Sequence, residues 1–311
     1  MSGRILVIRG GAIGDFILTL PALGLIRENL PTTRIEILGY PGIACLGLDP
    51  RYADAVHSIE YGPLARCFSK NASLDPELSA FFSSYQQIIS YLYDPDGIFA
   101  HNLRAAGVKN LLIGPGKLDD SAHAVQQLAQ PLEKLAFFLE DALPRFTPRP
   151  IDLEAAHPVL KKFTAPFLAF HPGSGSSHKN WPVKNWRALI EHCLQRPIPL
   201  LLIAGEADEK ELSAFADYSL PTAAHLPLRT LGAILSQSCG YLGHDTGISH
   251  LAAAAGARCL LFFGPTDPEI WGPLHPQVNI LKSSTGSMDA ITTDIVLPHL
   301  DSLLLGTKTV P

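Results

Sequence analysis

The sequence predicts an α/β protein of two domains, each built on a parallel sheet. Short apolar runs alternate with helix-length amphipathic segments, the pattern left by successive β-α-β units. A proline-rich stretch (Pro144, Pro148, Pro150, Pro158, Pro166) interrupts that rhythm once, and the rhythm then restarts. The chain has 311 residues, more than a single core usually serves.

In the first half, strands are expected at 4–8, 34–39, 87–92 and 110–113, and helices at 14–29, 76–84 and 121–142. The last helix rests on Val125, Leu128, Leu132 and Leu135, spaced near the helical period. The second half predicts a strand at 167–170, a helix at 183–195, a strand at 200–204 and helices at 207–216 and 230–237. A strand at 240–243, a helix at 247–255, a strand at 259–263 and a helix at about 288–305 follow. The domain division is 1–150 and 167–287, with 151–166 as linker and 288–311 as a terminal helical segment free to return to the first domain. Such a pair leaves an interdomain cleft, a common seat for a ligand.

Composition narrows the partners. Hydrophobic residues make up 47% and charged residues 17%, as in a globular protein, and the net charge of −5 offers nucleic acid no bulk attraction. No apolar run approaches the length of a membrane span, and no signal peptide is evident, so a cytoplasmic protein is expected. The cysteines, Cys45, Cys67, Cys193, Cys239 and Cys259, are odd in number and widely spaced, which suits buried thiols better than disulfides or zinc.

Four segments could carry chemistry. HPGSGSSHKNWP (171–182) joins a strand to a helix: Gly173 and Gly175 permit close backbone approach, Ser174 offers a hydroxyl and Lys179 a positive charge, together suiting a diphosphate. Its spacing is not that of a Walker A loop. GHDTGISHLAAAAG (243–256) ends a strand with Asp245 and opens a helix at Thr246 and Gly247, whose N–H groups favour an anion, with His250 one turn on. In a parallel sheet both loops open at carboxyl ends and can converge on one ligand. LLIAGEADEK (201–210) ends a strand with Glu206, Asp208 and Glu209 following, where an acid can hold a ribose diol. Finally, GGAIGD (10–15) looks like a phosphate turn but delivers an acid, Asp15, which either caps the following helix or faces the ligand as a base. A dehydrogenase reading has only this turn and Glu36 to use, and Asp94-Pro95-Asp96 reads more simply as a turn than as a metal site.

GDFILTLPAL (14–23), HPGSGSSHKNWP, and DTGISHLAAAAG with FFGPTDPEIWGP (262–273) together resemble glycosyltransferase family 9, the ADP-heptose:lipopolysaccharide heptosyltransferases. The resemblance runs in order from residue 4 to about 273. It implies a GT-B fold: two facing Rossmann-like domains with a central cleft, acceptor on the first and nucleotide sugar on the second. It also implies inverting heptose transfer from ADP-L-glycero-β-D-manno-heptose to lipopolysaccharide core, with no cofactor and no metal. Within it Asp15 matches the catalytic base and Lys179 the phosphate lysine. Ser174, Gly175, Asp245, Thr246, Gly247 and His250 match donor-binding positions, and Glu209 the ribose acid. Arg9 stands where members carry a basic residue, while Gly11 and Ala12 replace hydroxyl residues on the acceptor side. The expected partners are a nucleotide sugar and a lipid-linked or oligosaccharide acceptor, with no nucleic acid. A monomer with at most peripheral contact at the inner membrane is expected. The alternatives are a nucleotide-sugar-binding protein that has lost catalysis, or a family member using a different nucleotide sugar.

Overall fold

Buried apolar runs become the strands of two separate parallel sheets, one in the unit Met1–Pro144 and one in the unit Arg145–Pro311. The computed structural model describes residues 3–70, 72–196, 198–205, 208 and 212–305.

The first unit runs β1 (Arg4–Arg9), α1 (Ile13–Asn29), β2 (Arg34–Gly39), α2 (Pro41–Ala44), β3 (Ala55–Ser58), α3 (Pro76–Ser83), β4 (Gln87–Ser90), α4 (Ile98–Ala105), β5 (Leu111–Ile113) and α5 (Ala124–Ala129). The strands pair in the order β3-β2-β1-β4-β5, with Val7 of the central strand opposite Ile37 on one side and Ile89 on the other. A parallel strand covered on both faces needs apolar residues at every position, and Ile5-Leu6-Val7-Ile8 supplies them. On one face, Leu6 and Ile8 join Leu38, Ile88, Phe82, Phe99 and Leu103 in a single cluster. Helix α1 packs against α5, and its residues Phe16 to Leu23 are all buried. Strand order reverses between β1 and β4, which makes the carboxyl ends of those strands the ligand edge of such a sheet.

The helix expected at 121–142 is shorter. Helix α5 stops at Ala129, a 3₁₀ turn covers Gln130–Leu135, and Ala136 turns left-handed with φ 60°. Pro131 has no N–H to continue the ladder. Val125, Leu128 and Leu132 are nonetheless fully buried, so their spacing recorded burial, not helix length.

The second unit runs α6 (Pro150–Leu160), β6 (Leu168–Phe170), α7 (Val183–Leu194), β7 (Leu200–Ala204), β8 (Thr222–Ala224), α8 (Leu228–Leu235), β9 (Gly240–His244), α9 (Gly247–Ala254), β10 (Cys259–Phe263), α10 (Pro268–Trp271), β11 (Val278–Lys282) and α11 (Thr293–Leu305). Its strand order is β11-β10-β9-β6-β7-β8, all parallel, the doubly wound order with its reversal between β6 and β9. Trp181, Trp186, Phe170 and Phe262 form the centre of the core. Val296, Leu300 and Leu303 of α11 enter the same core, and α11 packs on α7 and β10. Over its described residues, then, the segment set apart as 288–311 belongs to this unit.

The segment 151–166, read as a linker, is largely helix α6. Pro150 sits in its first turn, where a missing N–H costs nothing, and Asp152 accepts the Arg149 N–H at 2.9 Å. Arg229 of α8 bonds Asp152 at 2.8 and 3.0 Å, fixing α6 to the unit that follows it. The helix expected at 207–216 lies largely outside the described residues. All the cysteines are free thiols, and burial pushes that of Cys193 up to about 12.

Candidate active site

At the carboxyl end of β1 the chain leaves the sheet through Gly10, Gly11 and Ala12. Gly11 has φ +97°, a conformation L side chains rarely adopt, and a Cβ there would come within 3.0 Å of Asp15 Oδ2. Ala12 is the N-cap of α1 and has no side-chain oxygen, so the cap is closed from the other side: its N–H donates to Asp15 Oδ2 at 3.0 Å. The Asp15 side chain remains 38% exposed, with Oδ1 3.7 Å from Arg9 Nη2. Arg9 is buried; it donates to the Asp15 carbonyl at 3.2 Å and the Tyr91 carbonyl at 3.5 Å. Burial lowers its pKa and the neighbouring Asp15 opposes that, so the guanidinium stays charged. The cap and the candidate base are therefore one carboxylate.

Two other acids of this unit are spent on structure. Glu36 is buried and accepts from Arg34 Nε at 2.7 Å, Tyr85 Oη at 2.9 Å and Arg4 Nη2 at 3.0 Å, with His57 as a fourth partner. Burial pushes its pKa up, but these partners prevail and hold it down at about 2. It has no place left for a ribose, which leaves a dehydrogenase reading only the glycine turn. Asp94-Pro95-Asp96 is a turn, closed by the Gly97 N–H on the Asp94 carbonyl at 3.1 Å, and the Asp94 carboxylate accepts the N–H groups of Phe99 and Ala100 in the first turn of α4 at 3.1 and 2.9 Å.

In the second unit the loops after β6 and β9 meet at the reversal point. Lys179 Nζ lies 2.7 Å from Asp245 Oδ2, with their side chains 29% and 11% exposed. Asp245 thus holds the lysine and does not cap α9. Thr246 is the cap, its Oγ accepting the Ser249 N–H at 3.3 Å. An ammonium has three protons, and this ion pair engages one. Gly175 is exposed with open space around it, and Gly247 opens α9, the helix whose first turn also carries the buried His250. Ser174 is turned inward: its Oγ lies 2.6 Å from the Ser176 carbonyl and from Asn180 Oδ1, so its one proton is used within the loop. Glu209 lies outside the described residues.

Beneath these loops is a polar layer of which sequence reasoning named only Asp208, among the acids that could hold a ribose diol, and the structure buries it. His171 Nε2 lies 2.8 Å from Asp208 Oδ2, and that oxygen also accepts the Gly205 N–H at 2.6 Å. Burial raises the Asp208 pKa, but His171 and the Gly205 N–H outweigh it and the net direction is down. His244 is fully buried; Nε2 accepts the Trp181 N–H at 2.9 Å, leaving Nδ1–H toward the Gly173 carbonyl at 3.4 Å. Burial and the neighbouring His171 lower its pKa to about 3, so it is neutral. The available signal was positional: His171, Gly205 and His244 each lie at the carboxyl end of a strand.

Comparison with known proteins agrees with this architecture. The family model for glycosyltransferase family 9 (heptosyltransferase) matches residues 119–297, over half of the chain. Lipopolysaccharide heptosyltransferase 1 of Pseudomonas aeruginosa is 36% identical over 111 residues, covering 35% of this chain and 31% of that protein. The enzyme of the same name from Escherichia coli K12 is 22% identical over 96% of this chain and 100% of its own length. Among solved structures, a family 9 glycosyl transferase from Veillonella parvula superposes with a TM-score of 0.82 at 15% identity, covering 97% of each chain. E. coli heptosyltransferase WaaC with ADP gives 0.72 at 18% identity, covering 96% of this chain and 99% of that one. An iron-containing heptosyltransferase, TibC from enterotoxigenic E. coli, gives 0.62 at 13% identity, covering 97% of this chain and 78% of that one. With a parallel-sheet α/β fold in each unit and the family match spanning the loops just described, the chain belongs to glycosyltransferase family 9, the heptosyltransferases, and is a glycosyltransferase of the GT-B fold.

Proposed function

We propose that the protein transfers heptose from ADP-L-glycero-D-manno-heptose to a lipopolysaccharide-core acceptor by a single inverting displacement that needs no metal. The observation that carries this reading is the Lys179–Asp245 pair beside the first turn of α9, at the strand-order reversal of the second unit. A cation and a helix N-terminus together suit a departing nucleoside diphosphate, whose negative charge grows in the transition state. They supply the stabilisation that a divalent cation gives in other transferases.

The acceptor hydroxyl must lose its proton as it attacks the anomeric carbon, and Asp15 is assigned to take it. Its carboxylate is partly exposed and is oriented by the Ala12 N–H and Arg9. Attack opposite the leaving diphosphate inverts the anomeric centre. Thr246, Gly247, His250, Ser174, Gly175 and Glu209 are assigned to the donor, and Arg9, Gly11 and Ala12 to the acceptor side. Among the described residues no helix is long and apolar enough to cross a membrane. The proposed location is the cytoplasm, as a monomer, with any membrane contact made through the lipid-linked acceptor.

Substitution Asp15→Asn is expected to lower turnover by roughly 10²- to 10⁴-fold while leaving donor affinity intact. Undiminished turnover by that variant rules out the assignment. Calorimetric titration with ADP-heptose, ADP-glucose, UDP-glucose and GDP-mannose tests the donor, and preference for one of the last three overturns the heptose reading. Activity that survives exhaustive chelation supports a metal-free mechanism; loss restored by one added metal refutes it.

A further inference from the structure

Asp208 has no part in the reaction proposed above, yet it is buried and touches both strand-end loops beside it. Its Oδ2 accepts the Gly205 N–H at 2.6 Å, closing the turn after β7, and lies 2.8 Å from His171 Nε2 at the end of β6. An ionised carboxylate only accepts, so His171 Nε2 is the donor in that bond. The other oxygen lies against the backbone of Gly173: a Cβ there would stand 2.0 Å from Asp208 Oδ1. The carbonyl of Gly173 in turn faces His244 Nδ1, at the end of β9, at 3.4 Å. One carboxylate thus binds the turn that leads to Glu209 to the loop that carries Ser174 and Lys179.

We propose that Asp208 is a positioning residue that, through His171 and Gly173, holds the diphosphate loop against the turn after β7, so that the donor diphosphate meets a preformed loop. This rests on the nucleotide-site reading above. Burying a carboxylate is costly unless charge-assisted bonds offset the loss of water, and the His171 and Gly205 N–H groups supply two of them. Preorganisation of this kind is read in ligand affinity, because a loop already in place has less freedom to lose on binding.

The test is ADP affinity in a set of paired variants. Asp208→Asn keeps the shape and one oxygen for Gly205 and His171, but the two bonds lose their charge assistance and an amide NH₂ group replaces the oxygen that lies against Gly173. It is expected to weaken ADP binding roughly 10- to 100-fold and to raise the donor KM by a larger factor than it lowers kcat. Lys179→Met is expected to weaken ADP binding in the wild-type background. In the Asp208→Asn background that penalty shrinks to less than about twofold, because the lysine is then no longer held in place. An undiminished penalty there overturns the coupling and leaves the nucleotide site standing. No penalty in the wild-type background overturns the nucleotide site and the coupling with it. If Asp208→Asn fails to fold, His171→Leu carries the same test. His171→Gln, which retains an N–H donor, is expected to restore most of the affinity; equal losses in the two His171 variants contradict the proposal.

Discussion

At Asp15 the substitution chosen decides what an experiment reports. Asparagine keeps an oxygen for the Ala12 N–H and lacks the charge, whereas alanine also opens the cap, at a cost of about 1 kcal/mol. Loss of activity in Asp15→Asn with unchanged thermal stability therefore speaks to proton transfer alone. Lys179 admits a similar separation. Lys179→Met is expected to lower kcat/KM by roughly 10²- to 10³-fold, and it also leaves Asp245 with its partner gone. Adding Asp245→Asn removes that stranded charge. If the lysine serves the diphosphate, the double variant stays as slow as the single one; recovery in steady-state kinetics would reduce the pair to a structural ion pair. That Asp15, Lys179, Asp245 and Thr246 stand on segments leaving strand ends was legible in the sequence, because each follows an apolar run that announces where the strand ends. Ser174 was legible as a loop hydroxyl, but its inward turn toward Asn180 depends on a fold of the loop that no spacing encodes.

Among the elements, the strands buried on both faces were the easiest to read. Leu200–Ala204 and Cys259–Phe263 are wholly apolar runs, and the sheet takes them as such. The strands Ala55–Ser58, Thr222–Ala224 and Val278–Lys282 were missed, and each lies at a sheet edge with half-covered residues and no strong pattern. Helix α6 was hidden by its prolines: Pro150 stands in the first turn, where a helix tolerates it, while Pro158 lies inside the helix at the cost of one backbone bond. The turn between β1 and α1 makes a prediction at this scale. Gly11→Ala would force φ +97° on an L residue and press a methyl group toward Asp15 Oδ2. A loss of about 1–2 kcal/mol is expected in denaturant unfolding, together with lowered turnover as Asp15 is displaced. An unaffected turnover would show that the carboxylate does not depend on this turn.

For the whole molecule, acid stability should trace to carboxylates that the fold holds ionised. Glu36 is lowered from an ordinary value of 4.5 to about 2, against its burial, by its ring of partners. A depressed acid contributes stability that is fully present above 4.5 and disappears as the pH falls through about 2. Asp152, held down in the same direction by Arg149 and Arg229 against its own burial, adds a similar dependence in the second unit. Glu36→Gln is therefore expected to be less stable than the wild type near pH 7, with the gap narrowing on acidification toward about pH 3. Urea unfolding at the two pH values checks this, and a gap that does not change contradicts it.

Each unit begins its sheet in the same way, with a short strand that becomes the centre of the strand order and ends in a glycine-bearing turn. After β1 that turn leads to an aspartate, and after β6 it leads to a lysine. One scaffold, used twice in a single chain, is thus dressed with opposite signs. On the proposed assignments the same position in the topology carries a proton acceptor in one unit and a cation for the diphosphate in the other, so the division of labour lies in the loop and not in the sheet.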